Sequence, residues 1–449
     1  MKIVRFNQAL EIARGLLAES ELIRHQGVEK FLLIRDLYGR LRLLCPALEV
    51  AEKRELSTQW LEALGTSADS TRPLLFDSDF FSAAEIRTNP HLQYLSLDAE
   101  GQREIPFADR GVIGADWLQA AFPENAVNQD APHPKRIVFF GLKGGVGRTT
   151  ALCLTARHFA KQGLKVLVLD VDLESPGLSS LLLPPTDLPP LGIIDWFVED
   201  GLGQASKALL ADIVATSPLA SNWPGIIRVA PAFGREESGY IPKLSRVYAD
   251  LSRPGNQQVE SFPERFFRML GVLEAAERPD VVLLDSRAGM HDIAATLLVR
   301  IPDALRLIFA SHSPQTWAGY RRMFEHWRSF PHHLASFRDG LQLVDAMMPE
   351  TGRLEHQQVF STAAYSLFNE TIYEDVPAGS EAGDIYNFPE EDTDAPHSAP
   401  SIMWDRKFME FDPTDISSPF HDEDLIRLCY GEFLSSIDDR LQISLTSQS

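Results

Sequence analysis

The stretch that most constrains this chain covers residues 135–151, where a buried strand is followed by a glycine loop and the start of a helix. Residues 137–140 are β-branched and aromatic without alternation, which is typical of a strand buried on both faces. Three glycines follow it: Gly144, Gly145 and Gly147. They let successive backbone N–H groups converge on an anion, and the helix dipole favours a phosphate at the same place. The stretch therefore predicts a phosphate-binding loop, with Thr149 placed to ligate Mg²⁺.

The loop departs from the usual nucleotide-binding pattern G-x-x-x-x-G-K-[ST] at two positions. Leu142 stands where the first glycine is expected, and Arg148 replaces the usual lysine. A guanidinium keeps the charge and can hold phosphate through two hydrogen bonds, but it is bulkier than an ammonium. The residues expected to contact the nucleotide are Lys143, Gly144, Gly145, Val146, Gly147, Arg148, Thr149 and Thr150.

Two carboxylates, Asp170 and Asp172, end the next apolar run. Side chains alternate along a strand, so both acids can point the same way at its carboxyl end, where open parallel sheets bind ligands. The alternative is that they only terminate the strand and cap the following turn. A second apolar run, residues 280–285, also ends in an acid, Asp285, which is the form of a Walker B strand. A carboxylate there is expected to hold the water shell of Mg²⁺.

These three elements together resemble the ParA and MinD family of ATPases. Its patterns are K-G-G-x-G-K-[ST], then D-x-D after the second strand, then D-[ST]-x-x-G, and they correspond here to 143–149, 170–172 and 285–289. Arg148 and Arg287 depart from the family, Arg287 replacing a common proline. The resemblance covers residues of about 136–348. It implies ATP and Mg²⁺ as cofactors and a P-loop NTPase fold, in agreement with the strand and helix alternation, which predicts an α/β, doubly wound, mainly parallel sheet.

The resemblance also implies roles for individual residues. Lys143 would reach across a dimer interface to the partner's nucleotide, and Asp172 would help to orient the attacking water, so these two are the catalytic candidates. Asp170 would lie near Mg²⁺, together with Thr149 and Asp285. A nucleotide-dependent homodimer follows from this assignment. The alternative for Lys143 is that it neutralises phosphate in its own subunit.

The rest of the chain carries no catalytic motif. We expect residues 1–130 to form a small α/β domain with a docking or sensing role, and a linker over 123–134 with its prolines and asparagines. Residues 131–449 would hold the nucleotide-binding domain, with an acidic loop at about 376–402 that lacks Lys and Arg. The amphipathic stretch 424–441 predicts a closing helix.

Net charge argues against one class of partner. The formal charge is −21, whereas affinity for nucleic acid depends on clustered Lys and Arg. Direct DNA binding is therefore disfavoured, although Arg321, Arg322 and Arg328 could form a local basic face.

No run approaches the roughly 18 apolar residues of a membrane span, and the first 25 residues lack the apolar core of a signal peptide, so a cytoplasmic protein is expected. Three scattered cysteines indicate neither disulfides nor a zinc site.

Two functions are compatible with these features. The first is a dimeric, slowly ATP-hydrolysing switch that acts on a protein or DNA partner, and the retained Thr149, Asp172 and Asp285 favour it. The second is a nucleotide-binding scaffold or sensor with little or no turnover, which the replacement at Arg148 would permit. The sequence leaves the choice between ATP and GTP, the partner and the pathway open.

Overall fold

The computed structural model describes residues 2–80, 86–87, 92–98, 102–110, 115–122, 133–236, 239–252, 259–376 and 385–442. The chain divides into two compact units, Met1–Gln119 and Ala120–Ser449. Most of the linker predicted at 123–134 lies outside the described residues, which resume at His133.

The first unit is a small α/β domain. Its helices are α1 (Phe6–Glu19), α2 (Glu21–Gln26) and α3 (Val50–Leu64). Its strands are β1 (Leu32–Arg35), β2 (Leu41–Cys45), β3 (Leu74–Phe76), β4 (Gln93–Ser96) and β5 (Glu104–Asp109). They pair in the order β3-β2-β1-β5-β4, with β1 antiparallel to β2 and parallel to β5. Phe31, Trp60 and Phe107 are buried between sheet and helices, which accounts for the apolar spacing of this part of the sequence.

The second unit contains the phosphate-binding loop. Its helices are α4 (Arg148–Lys161), α5 (Leu178–Leu182), α6 (Ile193–Gly201), α7 (Lys207–Ile213), α8 (Tyr240–Val247), α9 (Phe262–Glu277), α10 (Asp292–Ala295), α11 (Pro314–Arg328), α12 (Pro331–Ala335), α13 (Arg353–Thr371) and α14 (Glu423–Leu441). Its strands are β6 (Lys135–Gly141), β7 (Lys165–Asp170), β8 (Ala215–Thr216), β9 (Ile226–Ala230), β10 (Leu251–Ser252), β11 (Val259–Glu260), β12 (Val281–Asp285), β13 (Ala304–Ala310), β14 (Leu341–Met348) and β15 (Ser401–Met403).

One large sheet organises this unit. In the described part of the chain its strand order is β15-β14-β13-β6-β12-β7-β9-β8. Every neighbouring pair is parallel except β8 with β9. β6 lies between β12 and β13, so the loop that follows β6 emerges at the carboxyl-end edge of the sheet, near the ends of both neighbours. The predicted fold class, α/β with a mainly parallel sheet and a small N-terminal α/β domain, is confirmed.

Helices cover both faces of this sheet. Ile137 and Phe139 of β6 pack into a core with residues of α4 and α14, including Phe433. Phe140 faces the other way and meets Tyr320 of α11 edge-on, with 6.5 Å between ring centroids. This alternation on a strand that is apolar throughout is what a sheet covered on both sides requires. α4 is held rigidly as a result, and its first turn carries Arg148 and Thr149.

Part of the predicted acidic loop is packed rather than free. Residues 377–384 lie outside the described residues, but the segment 385–400 packs against the edge of the sheet. The carbonyl oxygens of Pro396 and Pro400 accept hydrogen bonds from backbone N–H groups of β14, at 2.9 and 3.1 Å. His397 is 1% exposed and is hydrogen-bonded to the hydroxyl of Tyr373. The charge count did not indicate this packing of 385–400, because it does not register backbone pairing to an open sheet edge.

Within the described ranges, each helix is too short or too polar to cross a bilayer. Cys45, Cys153 and Cys429 are free and buried. Burial raises the pKa of Cys45 to about 12, so this cysteine is a thiol rather than a reactive thiolate.

Candidate functional site

The glycine loop has the backbone expected of an anion cradle. Gly145 and Gly147 have φ of 77° and 76°, which side-chain-bearing residues rarely adopt. Gly144 has no such backbone requirement, and a Cβ there would meet no protein atom within 4 Å. The fold therefore does not require glycine at position 144. A glycine there leaves the backbone open to close approach by a ligand. Val146 is buried beneath the loop, and α4 begins at Arg148.

Strand register brings the acidic side chains together. Asp170 is the last residue of β7 and Asp285 the last of β12, and the two are direct partners across the parallel pair. Asp170, Asp285 and Asp172 are 0%, 2% and 7% exposed. Side chains of paired residues in a sheet lie on the same face, so two carboxylates face each other with little water between them. The sequence prediction that these acids meet at the carboxyl edge agrees with this placement.

Arg148 lies between two of these carboxylates. Its Nε donates to Oδ1 of Asp285 at 2.8 Å, and its Nη2 donates to Oδ2 of Asp172 at 3.3 Å. The hydroxyl of Thr149 donates to the other oxygen of Asp285 at 3.2 Å. Burial opposes the charged form of Arg148, but Asp285 and Asp172 together raise the pKa of the guanidinium above its ordinary value. Arg148, expected to contact phosphate, thus contacts two of the acids in this structure.

Asp170 is the least satisfied of the three acids. Its Oδ2 accepts hydrogen bonds from the backbone N–H and the hydroxyl of Ser179, at 3.2 and 2.8 Å. Its Oδ1 is buried and has no hydrogen-bond partner among the described residues. Burial and then the charge of Asp285 raise the pKa of Asp170 to about 7. An orphaned carboxylate oxygen of this kind is a natural position for a cation.

These donors fit Mg²⁺ in chemistry. Carboxylate and hydroxyl oxygens are its preferred protein ligands, usually one or two of them together with waters and substrate phosphates. Where the chain is described, no group of three or more His, Cys, Asp or Glu side chains is arranged to hold a metal ion without other ligands. Thr149, Asp285 and Asp170 would therefore hold the ion together with waters and with the phosphates of a nucleotide.

Lys143 points away from the acids. Its Nζ donates to the side-chain oxygen of Gln315, in the first turn of α11, at 2.6 Å. The contact is exposed to solvent. The additional cation of the loop is therefore held at the edge of the site and does not neutralise Asp172 or Asp285.

A cavity of about 330 Å³ adjoins the loop. Gly147 and Thr150 form one side, and Met347, Trp404 and Phe408 are among the residues that form the other. Ligand pockets of this size are lined mainly by apolar and aromatic side chains, which suits the flat ring of a nucleobase. Sequence reasoning missed this wall because it treated the residues before Trp404 as an acidic loop. The apolar run Ser401–Met403, now β15, was the available signal.

The segment between β9 and α9 also contacts the site, which the sequence did not indicate. Tyr240, Lys243 and Arg246 lie in this segment. The hydroxyl of Tyr240 donates to the backbone carbonyl of Leu173 at 2.6 Å, and Lys243 pairs with Asp195 at 2.6 Å. Only Arg246 bonds within its own stretch of chain.

A second set of contacts joins the same loop to the strand end at Asp285. Glu174 accepts from the hydroxyl of Tyr248 and pairs with Arg287 at 2.6 Å. Arg287 is the residue that stands in place of the family's common proline. The loop carrying Asp172 is thus tied both to the segment after α8 and to the loop after β12.

The proposed basic face on α11 is partly neutralised. Arg321 pairs with Glu370, and Arg328 donates to the backbone carbonyl of the same residue. Arg322 donates to the carbonyl of Ala318 in its own helix. Two of the three arginines are thereby engaged by α13, which weakens the case for a DNA-binding surface here.

Comparison with known proteins places this site in a family. Residues 137–337 match the family model described as the CobQ/CobB/MinD/ParA nucleotide binding domain. This stretch contains the glycine loop and all three acids, so it is a nucleotide-binding domain of the ParA/MinD type. No protein among the curated sequences matches the chain.

The chain is also similar to several solved structures. An ATP complex of a McdA variant from Cyanothece is 17% identical, covering 70% of this chain and 98% of that one, with a TM-score of 0.43. A ParA family ATPase from Chlorobium tepidum TLS is 15% identical over 68% and 98%, with a TM-score of 0.41. The septum site-determining protein MinD of Pyrococcus horikoshii OT3, complexed with Mg-ADP, is 16% identical over 69% and 98%, also with a TM-score of 0.41.

Proposed function

We propose that this chain is an ATP-binding and slowly ATP-hydrolysing switch that forms a nucleotide-dependent homodimer and acts on a protein partner. One observation carries the proposal. A glycine loop, the Thr149 hydroxyl and three acids meet at the carboxyl ends of adjacent parallel strands, within a domain of the ParA/MinD type.

Each group has a role in this mechanism. The backbone N–H groups of the loop and the start of α4 bind the phosphates. Thr149, Asp285 and Asp170 would hold Mg²⁺, and the ion would supply positive charge that neutralises the phosphate oxygens. Asp172 accepts a hydrogen bond from the attacking water and orients it. The aromatic cavity beside the loop takes the base.

Slow turnover is supported by the position of Arg148. Its Nη2 occupies one oxygen of Asp172 at 3.3 Å, while the other accepts from the backbone N–H of Ser175 at 3.3 Å. A carboxylate that is engaged in this way must be released before it can orient water. Hydrolysis therefore waits on a rearrangement of Arg148, and such conformational steps commonly limit turnover.

Dimer formation is supported by Lys143, which can offset the repulsion between two acidic chains. A chain with a formal charge of −21 repels a second copy of itself, so association requires a specific attraction. Lys143 is at the edge of the site, and among the described residues only a neutral amide is bonded to its ammonium. It can exchange Gln315 for the phosphates of a second subunit at small cost. Two nucleotides buried between subunits would concentrate negative charge in a poorly solvated space, where this cation would stabilise the dimer.

A protein partner fits the surface better than DNA. The net charge is strongly acidic, and two of the three α11 arginines named above, Arg321 and Arg328, are engaged by Glu370. Both features reduce the electrostatic attraction on which nonspecific DNA binding depends. We place the switch in the cytoplasm, where ATP and reduced thiols are available.

The decisive experiment measures phosphate release over many turnovers by the purified chain with ATP and Mg²⁺. The matched control is Asp172→Ala, which should bind ATP with little release. Stoichiometric ATP binding without repeated release would replace the hydrolysing switch with the nucleotide-binding scaffold. Failure to bind ATP would refute both.

A further inference from the structure

The two acids nearest to the loop have no free hydrogen-bonding oxygen. Asp285 receives Arg148 Nε at 2.8 Å on one oxygen and the Thr149 hydroxyl at 3.2 Å on the other. Asp172 receives Arg148 Nη2 and the backbone N–H of Ser175, both at 3.3 Å. A metal ion at either carboxylate would therefore compete with Arg148 for the same negative charge.

Burial makes a cation at this point necessary. Asp172 and Asp285 are 7% and 2% exposed, and Arg148 is 9% exposed. Removing one partner of a buried ion pair leaves an uncompensated charge, which strongly destabilises the folded state. In the described part of the chain, Arg148 is the one basic side chain that contacts either carboxylate. Lys143, the other cation of the loop, is bonded to Gln315.

We propose that Arg148 is a built-in substitute for the metal ion. In the nucleotide-free chain its guanidinium holds Asp172 and Asp285 together, and it leaves them when Mg²⁺ enters with a nucleotide. The released guanidinium then contacts the phosphates. This inference rests on the proposed function, because it takes Mg²⁺ as the ion that these carboxylates hold.

The proposal accounts for arginine at a position where the common pattern has lysine. The guanidinium reaches Asp285 through Nε and Asp172 through Nη2, two separate donors of one rigid group. An ammonium is a compact point charge and cannot present donors spaced in this way. Arginine can therefore bridge two acids that a lysine would contact less completely.

A consequence is that metal and nucleotide bind together. Without phosphate, Mg²⁺ must displace a buried guanidinium that has no other anion to contact. With phosphate present, the guanidinium exchanges one anionic partner for another. The nucleotide-free chain should therefore reject Mg²⁺, and a variant without the guanidinium should accept it.

The test is thermal unfolding without nucleotide, with and without Mg²⁺ at constant ionic strength. It compares the natural chain with Arg148→Gln, and with Arg136→Gln as the matched control. Arg136 forms an equally buried pair with Glu274, with both hydrogen bonds at 2.8 Å, near the start of β6. Either substitution should lower Tm, because each leaves a buried carboxylate unpaired. Calorimetric titration with Mg²⁺ alone gives the affinity directly.

The expected pattern is specific to Arg148. Saturating Mg²⁺ should raise the Tm of Arg148→Gln by roughly 5 °C and leave the natural chain and Arg136→Gln unchanged. Its affinity for Arg148→Gln should exceed that for the natural chain about tenfold or more. An equal shift in the natural chain and Arg148→Gln, or no shift in either, would overturn the proposal. If Arg148→Gln does not fold, Arg148→Lys serves in the same comparison, with a smaller shift in the same direction.

The outcome is separable from that of the proposed function. These measurements contain no nucleotide and do not depend on hydrolysis. If phosphate release fails while the Mg²⁺ pattern is as expected, the hydrolysing switch is wrong and the role of Arg148 stands. If release is observed and the Mg²⁺ pattern is absent, Arg148 is not a substitute for the metal.

Discussion

Replacing Asp170 with Asn should change how the stability of the chain depends on pH. Asp170 is fully buried opposite Asp285, and the pKa of its carboxyl group is raised from 3.8 to about 7. The folded state therefore keeps a proton through a range in which the unfolded chain loses it. The contribution of Asp170 to the free energy of unfolding therefore falls as pH rises from about 4 to about 7 and is level above that. Asparagine does not titrate, so the Asp170→Asn chain does not show this fall in stability.

The size of the effect follows from the shift. About three pKa units correspond to about 4 kcal/mol over the whole range. Between pH 5 and pH 8 the linkage relation gives a change of about 2 to 3 kcal/mol. The stability of Asp170→Asn relative to the natural chain should therefore rise by that amount across this interval, in buffer without metal or nucleotide.

Urea unfolding at a series of pH values, extrapolated linearly to water, measures this difference. Asp345→Asn is the matched control, because Asp345 is also buried and its pKa is raised to about 6. The stability of Asp345→Asn relative to the natural chain should stop rising near pH 6. For Asp170→Asn the corresponding rise should continue to about one pH unit higher. Parallel curves for the natural chain and Asp170→Asn from pH 5 to pH 8 would refute the assignment of a buried, proton-holding acid at this position.

Three further predictions concern the site itself. Thr149→Ala should weaken Mg²⁺-dependent ATP binding about tenfold or more in calorimetry, and undiminished binding would contradict its role as a ligand. Asp172→Ala should keep ATP binding and slow phosphate release about 100-fold or more, whereas Asp285→Ala should also weaken metal-dependent binding. Identical binding defects in the two would show that the roles are not divided in this way. In sedimentation with ATP, Lys143→Ala should abolish the dimer of the Asp172→Ala chain and Gln315→Ala should preserve it. A chain that stays monomeric with saturating ATP would exclude the dimer.

The central strands were predictable because their sequences are apolar without interruption. The runs before Gly141, Asp170 and Asp285 became β6, β7 and β12 with only small differences in their bounds. A parallel sheet buried on both faces leaves few other choices for such runs. The position of the acids at the carboxyl edge followed from the same reasoning, because strand ends and loop order determine it.

Contacts between distant parts of the sequence were not predictable in the same way. The aromatic wall at Trp404 and Phe408 adjoins a loop more than 250 residues earlier in the chain, and no local pattern links them. The direction of Arg148 was also missed. A motif gives the residue type, but only the register of Asp285 against β7, together with the position of Asp172, shows that two acids are within reach of its guanidinium.

The loop after β7 has two connections, and its attachment to Tyr240 has a consequence for signalling. Asp172 faces the nucleotide site, while the next residue, Leu173, is held through its carbonyl by Tyr240 of α8. A rearrangement at Asp172 must either break this bond or carry α8 with it. Ile241, the neighbouring residue of α8, is 78% exposed, so movement of α8 alters the apolar surface that a partner meets.

A change at the nucleotide site would then move α8 at the surface of the protein. Because the native cysteines are buried, a single Ile241→Cys could be labelled selectively with a fluorophore. Its emission should change when ATP is added, and a constant signal through turnover would show that the transmission does not occur. Under the proposed function, the buried end of this connection would respond to phosphate, and its solvent end would be the surface presented to a partner.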